Sequence, residues 1–196
     1  MSPRSYRMGQ RQADVEETRA RIVEAARGHL AETGALSLDA VARRADVARA
    51  TVYYQFGSRT GLLEAVCDAL AAEGGLDRLP EVFTTADPWQ AVDGFVAAFG
   101  DFWAADRLCT RRLRALAALD EETGRVVAER DARRHQGARV LTARLPDAPE
   151  DAGALLAALT GFETYDALAR ELTGPDGDLR AAVPALTRTV RAALSP

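Results

Sequence analysis

The stretch VARRADVARATVYYQF, Val41 to Phe56, decides the fold. It has the length of a short helix, a tight turn and a second helix, which is what a helix-turn-helix needs. In the first helix Leu38, Val41, Ala42 and Ala45 recur at i, i+3, i+4 and i+7, so one face is apolar while Arg43 and Arg44 stay in water. In the second, Val52 and Phe56 lie one turn apart and point inward. That turns Ala50, Thr51 and Tyr54 outward and leaves Arg49 and Tyr53 on the flank. The outward set suits a DNA groove: a hydroxyl reaches base edges or phosphate, a small Ala admits a thymine methyl, an Arg forks onto guanine, and a Tyr pins a phosphate through its OH. Periodicity alone leaves an ordinary helical hairpin open as the alternative.

Charge is distributed in the same sense. The 196-residue chain has a net charge of -4, yet residues 1–60 hold ten Arg against seven acids, a net of +3, so the remainder carries -7. A basic head on an acidic body fits phosphate contact at one end only. Every basic side chain is Arg. High aliphatic and Ala content with few aromatics points to an all-α protein. No charge-free apolar run of 18 residues and no signal-peptide layout occur, so a soluble, cytoplasmic protein without membrane association is expected. Cys67 and Cys109 lie far apart on apolar faces, which predicts buried reduced thiols; no metal or cofactor is expected.

From Glu17 to about Leu63, through TRARIVEAARGHLAETGALSLDAVARRADVARATVYYQFGSRTGLL, the sequence resembles the DNA-binding domain of the TetR family of bacterial transcriptional regulators. The run ATVYYQF followed by Ser58 and a basic residue is its most typical part. The likeness covers the first third of the chain and departs from the family pattern at three positions. Asp46 stands where a turn Gly is usual, which Asp tolerates because it enters the left-handed region more readily than most residues. Ala48 replaces the usual Ser or Thr cap, worth about 1 kcal/mol. Arg59 replaces the usual Lys, and the resemblance implies a phosphate contact for it.

Taken in order, residues 1–13 hold Arg4, Arg7 and Arg11 without apolar period, which predicts a flexible basic arm, either tracking DNA or merely solvated. Asp14 and Glu17 form a capping-box layout, so the first helix is expected near Val15, with Ile22, Ala25, Ala26, His29 and Leu30 inward and Gly34 as its stop. His29 is expected as a partly buried core residue. Ser37 caps the second helix and offers a phosphate seat. The helix-turn-helix domain spans 14–60. The candidate DNA-contacting residues are therefore Ser37, Arg49, Ala50, Thr51, Tyr53, Tyr54 and Arg59.

Residues 61–196 are expected to form a larger helical bundle for ligand binding and dimerisation. A fourth helix, Arg59 to Ala72, leads into a loop with Pro80 and Pro88. Next comes an aromatic helix to Ala105, a helix over Leu108–Leu119, and a long charge-laced helix from Asp120 to Arg144. Asp151 to Leu172 reads as one helix. The last either begins at Pro184 or is longer and kinked there. The resemblance implies a small-molecule pocket, for which the candidates are Phe95, Phe99, Phe102, Trp103, Leu113, Leu116, Phe162 and Tyr165, although an aromatic stripe at this spacing also makes ordinary core. It further implies a homodimer through the last two helices, with Leu168, Leu172, Leu186, Val190 and Leu194 as candidates.

The expected function is a homodimeric repressor on a palindromic double-stranded DNA operator, released by a small apolar or aromatic effector. An effector-independent DNA-binding protein is the alternative. An enzyme on a helical bundle has little support, since GxSxG, HExxH and the phosphate-binding loop are all missing and only two His occur.

Overall fold

The structure, a computed structural model, describes residues 3–195, with side chains from residue 12 onward. The described residues form α1 (Pro3–Thr33), α2 (Leu38–Arg44), α3 (Arg49–Phe56), α4 (Arg59–Glu73), α5 (Leu79–Thr84), α6 (Pro88–Ala105), α7 (Arg107–Ala117), α8 (Glu121–Thr142), α9 (Ala152–Leu159), α10 (Phe162–Thr173) and α11 (Val183–Leu194). Two 3-10 turns, Leu76–Arg78 and Leu179–Ala182, precede α5 and α11. The fold is all-α, and no strand occurs among the described residues.

The chain divides into two compact units. One takes the chain up to Ala69 together with Arg111–Val126; the other holds Leu70–Thr110 and the chain from Val127 on. The first unit is built on the apolar faces read from the sequence: Ile22, Ala26 and Leu30 of α1, Val41, Ala42 and Ala45 of the second helix and its end, Val52 of α3, and Leu62, Leu63 and Val66 of α4 are all buried. Burial of these faces is what offsets the entropy of ordering helices too short to be stable alone. Gly34, at φ 70°, ends α1 in the left-handed conformation expected of it. His29 is half-buried.

The start of α1 differs from expectation. The helix runs from Pro3, so Asp14 lies inside it and accepts a bond from Thr18 Oγ1 at its carbonyl instead of capping a start. Arg, Met, Gln and Ala are good helix formers, and a helical extension continued from a buried helix needs no apolar face of its own. Of the expected arm, residues 1 and 2 and the side chains of residues 3–11, Arg4, Arg7 and Arg11 among them, lie outside the described residues.

The second unit is one apolar core. Val92, Phe95, Val96, Phe99 and Trp103 of α6 pack in it with Leu141 of α8, Leu156 of α9, Phe162 and Tyr165 of α10, and Leu186, Val190 and Leu194 of α11. Where a loop with Pro80 is expected, a short helix forms, because a proline in the first turn gives up a hydrogen bond that the turn does not need. Pro184 likewise sits in the first turn of α11, which decides between the two alternatives for that segment. The expected helix over 151–172 is broken into α9 and α10 at Thr160–Gly161. There the Thr160 hydroxyl bonds Leu156 O at 2.7 Å, Trp103 Nε1 donates to Thr160 O at 3.0 Å, and Arg134 Nη1 donates to Ala157 O. Outside donors thus satisfy carbonyls that the continued helix would have used.

Cys67 and Cys109 are both buried and unbridged.

Candidate nucleic-acid interface

The helix-turn-helix is held by bonds that the sequence pattern did not reveal. Asp46 occupies the turn at φ 52°, the left-handed conformation expected for it. Arg21 Nε donates to Ala45 O at 3.0 Å, closing the end of α2, and Arg19 Nη1 donates to Gln55 O at 2.7 Å while its guanidinium lies 4.3 Å from the Phe56 ring centre. Two arginines of α1 therefore fix the ends of α2 and α3. Ser37 caps α2, its hydroxyl accepting from Ala40 N–H at 3.4 Å. Ala48 supplies no side-chain cap to α3, as its methyl dictates. Gly57 ends α3 at φ 73°.

On α3, Val52 is 1% exposed and Tyr54 84% exposed. Arg49, Ala50 and Tyr53 are exposed, and Thr51 is half-buried on the flank. The inward-outward division read from the sequence is present, though Phe56 is only partly buried, covered by Arg19 instead of sunk in the core. The outer face thus presents a guanidinium, a methyl, a hydroxyl and two phenols on a rigid helix, the groups needed to touch base edges and phosphates.

Arg59 is placed otherwise. Its Nε donates to Leu36 O at 3.2 Å, Nη1 to Asp120 at 3.0 Å and to Glu122 at 2.7 Å, and Nη2 to Thr123 Oγ1 at 3.4 Å. The fork expected on a phosphate is on two carboxylates. Burial works against the Arg59 charge, but its bonds to Glu122 and Asp120 outweigh it and raise the pKa. Asp120 is lowered to about 2, mainly by the Thr123 hydroxyl and N–H and then by Arg59. Glu122 is lowered by Thr60 Oγ1, which donates to it, and by Arg59.

In the second unit Phe95, Phe99, Phe102, Trp103, Phe162 and Tyr165 do come together. The rings of the first five lie against one another, with centres 4.7 Å apart for Phe95–Phe99, 4.3 Å for Phe102–Trp103 and 5.7 Å for Trp103–Phe162. Tyr165 is fully buried, and its OH donates to Val96 O at 2.6 Å; burial pushes its pKa up. Leu113 and Leu116 belong to the first unit. Arg134, unmarked by any motif, is 7% exposed with its guanidinium 6.0 Å from the Phe99 ring centre; its bonds to Ala157 O and Thr160 close the end of α9.

The proposed dimer residues need correction. Leu186, Val190 and Leu194 are 2%, 0% and 0% exposed within the single chain, so their surface is already spent on its own core. An amphipathic stripe shows which face is apolar but not whether its cover is the same chain or another. Leu172 is 53% exposed and Leu168 half-buried against the core.

A short helix set outward on a helix-turn-helix is the arrangement of a DNA-binding domain. Residues 22–66 match the family described as bacterial regulatory proteins, tetR family. Among solved structures it is similar to native NalD, the secondary repressor of the MexAB-OprM multidrug efflux pump in Pseudomonas aeruginosa, at 24% identity over 92% of this chain and 97% of that one (TM-score 0.69). It is similar to the multidrug binding protein EbrR complexed with imidazole, at 26% identity over 88% and 89% (TM-score 0.56). A third is a transcriptional regulator of the TetR/AcrR family from Thermobifida fusca, at 23% identity over 89% and 96% (TM-score 0.58). No curated protein matches the chain in sequence. No helix among the described residues is long and apolar enough to cross a membrane.

Proposed function

We propose that the protein is a cytoplasmic, homodimeric repressor that binds a near-palindromic operator through α3 and leaves it when a small apolar or aromatic molecule binds the body. The observation that carries this is the outer face of α3, where Tyr54 is 84% exposed directly beside the buried anchor Val52. DNA-contacting roles for Arg49, Ala50, Thr51, Tyr53 and Tyr54 follow from that face, and Ser37 at the start of α2 adds a phosphate seat. Two such helices related by a twofold axis would enter successive major grooves about one helical turn apart. The exposed Leu172 of α10, one turn beyond the half-buried Leu168, supports a contact there between two copies.

For the effector, the supporting feature is the aromatic cluster of Phe95, Phe99, Phe102, Trp103 and Phe162. A flat apolar molecule would enter by parting these rings. It shifts the regulator off DNA only to the extent that it binds the parted state more tightly than the closed one. Selection of bound duplexes from a random-sequence pool tests the proposal: a recovered inverted repeat supports it, and an unenriched pool contradicts it.

A further inference from the structure

Arg49 opens the recognition helix, but its guanidinium is already partnered. Nη1 lies 3.1 Å from both carboxylate oxygens of Asp39 in the first turn of α2, and Nη2 donates to Tyr53 OH at 3.4 Å. The guanidinium carbon stands 5.5 Å from the centre of the Tyr53 ring. Both charged side chains are about half exposed, 54% for Arg49 and 53% for Asp39.

Stability does not account for this pair. Exposed ion pairs contribute little to folding, and the helix dipole that welcomes an acid in the first turn of α2 is served as well by an acid pointing anywhere. Function gives Asp39 a stronger reason. An acid on the face that meets DNA repels phosphates and lowers sequence-independent binding. An Arg whose charge is compensated adds little to that sequence-independent attraction. It still keeps several of its five N–H donors for a base edge.

We propose that Asp39 is a specificity-determining positioning residue: it holds Arg49 beside Tyr53 and cancels its charge, so that Arg49 contributes to binding where a guanine edge accepts its remaining N–H groups and not wherever a phosphate lies. A phosphate is another anion competing with Asp39 for the same guanidinium, an even exchange for the carboxylate. The guanine O6 and N7 pair offers two aligned acceptors without requiring Asp39 to be given up. This rests on the DNA-binding reading above.

The test compares affinity for the duplex selected by the wild-type protein with affinity for a random-sequence duplex of equal length, over a salt series. Asp39→Asn, an exposed and nearly isosteric change, should tighten random-duplex binding by about 3- to 10-fold and steepen its salt slope by about 1, with a smaller gain on the selected duplex. The ratio of the two affinities therefore falls. Asp39→Glu, which keeps a carboxylate within reach, should retain most of the ratio. In an Arg49→Ala background, Asp39→Asn should leave the ratio unchanged, which separates action through Arg49 from plain removal of a negative charge. An unchanged ratio in Asp39→Asn, or an equal fall with and without Arg49, overturns the assignment. A wild-type protein that does not distinguish the two duplexes overturns the DNA-binding reading and this assignment with it.

Discussion

Arg59 Nη1 stands 3.0 Å from the Asp120 carboxylate, tying the first residue of α4 to the residue that caps α8. Glu122 joins from the other side at 2.7 Å. All three side chains are partly exposed, which moderates the energies. Arg59→Ala should lower the stability of the first unit by about 1 kcal/mol, read as a fall in melting temperature by circular dichroism. An unaltered melt would mean that the cluster contributes nothing to the unit.

The same cluster predicts a pH dependence. Asp120 is lowered from its ordinary 3.8 to about 2 and Glu122 is lowered too, so both carboxylates favour the folded state above the unfolded carboxylate range. That contribution is present at neutral pH and is lost as pH falls through about 4 towards about 2. Wild-type and Asp120→Asn proteins should differ in melting temperature at pH 7 and converge at the acid end. A constant difference across the range would contradict the assignment of the shift to Asp120.

Tyr54 offers DNA a hydroxyl but no charge. Tyr54→Phe should weaken binding to any duplex by about 3- to 10-fold and leave the salt slope unchanged, because no counterion release is lost with a neutral donor. Thr51→Ala should instead change which bases are selected, visible in a repeat of the random-pool selection. The reverse pattern would place Thr51 on the backbone and Tyr54 on the bases.

Val190 is fully buried and Leu172 half-exposed, so equal charge insertions should act differently. Val190→Asp should unfold the second unit, since an unpaired buried charge costs more than about 4 kcal/mol. Leu172→Asp should leave the fold intact and, if α10 joins two copies, yield monomers in sedimentation. Folded Leu172→Asp dimers would move the contact elsewhere.

Gly100 of α6 has no room for a side chain: a Cβ there would lie 2.4 Å from Val183 Cγ2 and 3.3 Å from Tyr165. Gly100→Ala should therefore destabilise the second unit by about 1–3 kcal/mol, measured by denaturant titration. A neutral effect would show that α6 and the start of α11 can separate without loss.

Much of this was legible in the residues. The spacing of Val41, Ala45 and Val52 set the helix-turn-helix, Gly34 the stop of α1, and Asp46 the left-handed turn, because each of these signals acts within a few residues of where it is written. The aromatic stripe of α6 correctly showed its buried face. What stayed hidden depends on distant partners. Nothing local to Arg59 announces Asp120 and Glu122, nothing near Arg49 announces Asp39, and the break at Thr160 is made by Trp103 and Arg134 from other helices. The start of α1 was misplaced because apolar period was taken as the mark of a helix, whereas propensity alone extends one already anchored. The stripe on α11 was assigned to a second copy for a similar reason: amphipathicity does not name its partner.

Methylation protection of guanine N7 on the selected duplex tests the central claim, that α3 enters the major groove with Arg49 to Tyr54 foremost. Two protected guanine patches about one helical turn apart are predicted, and Arg49→Ala should erase protection at particular guanines within both. Unprotected N7 positions throughout a duplex that the protein nonetheless holds would contradict it.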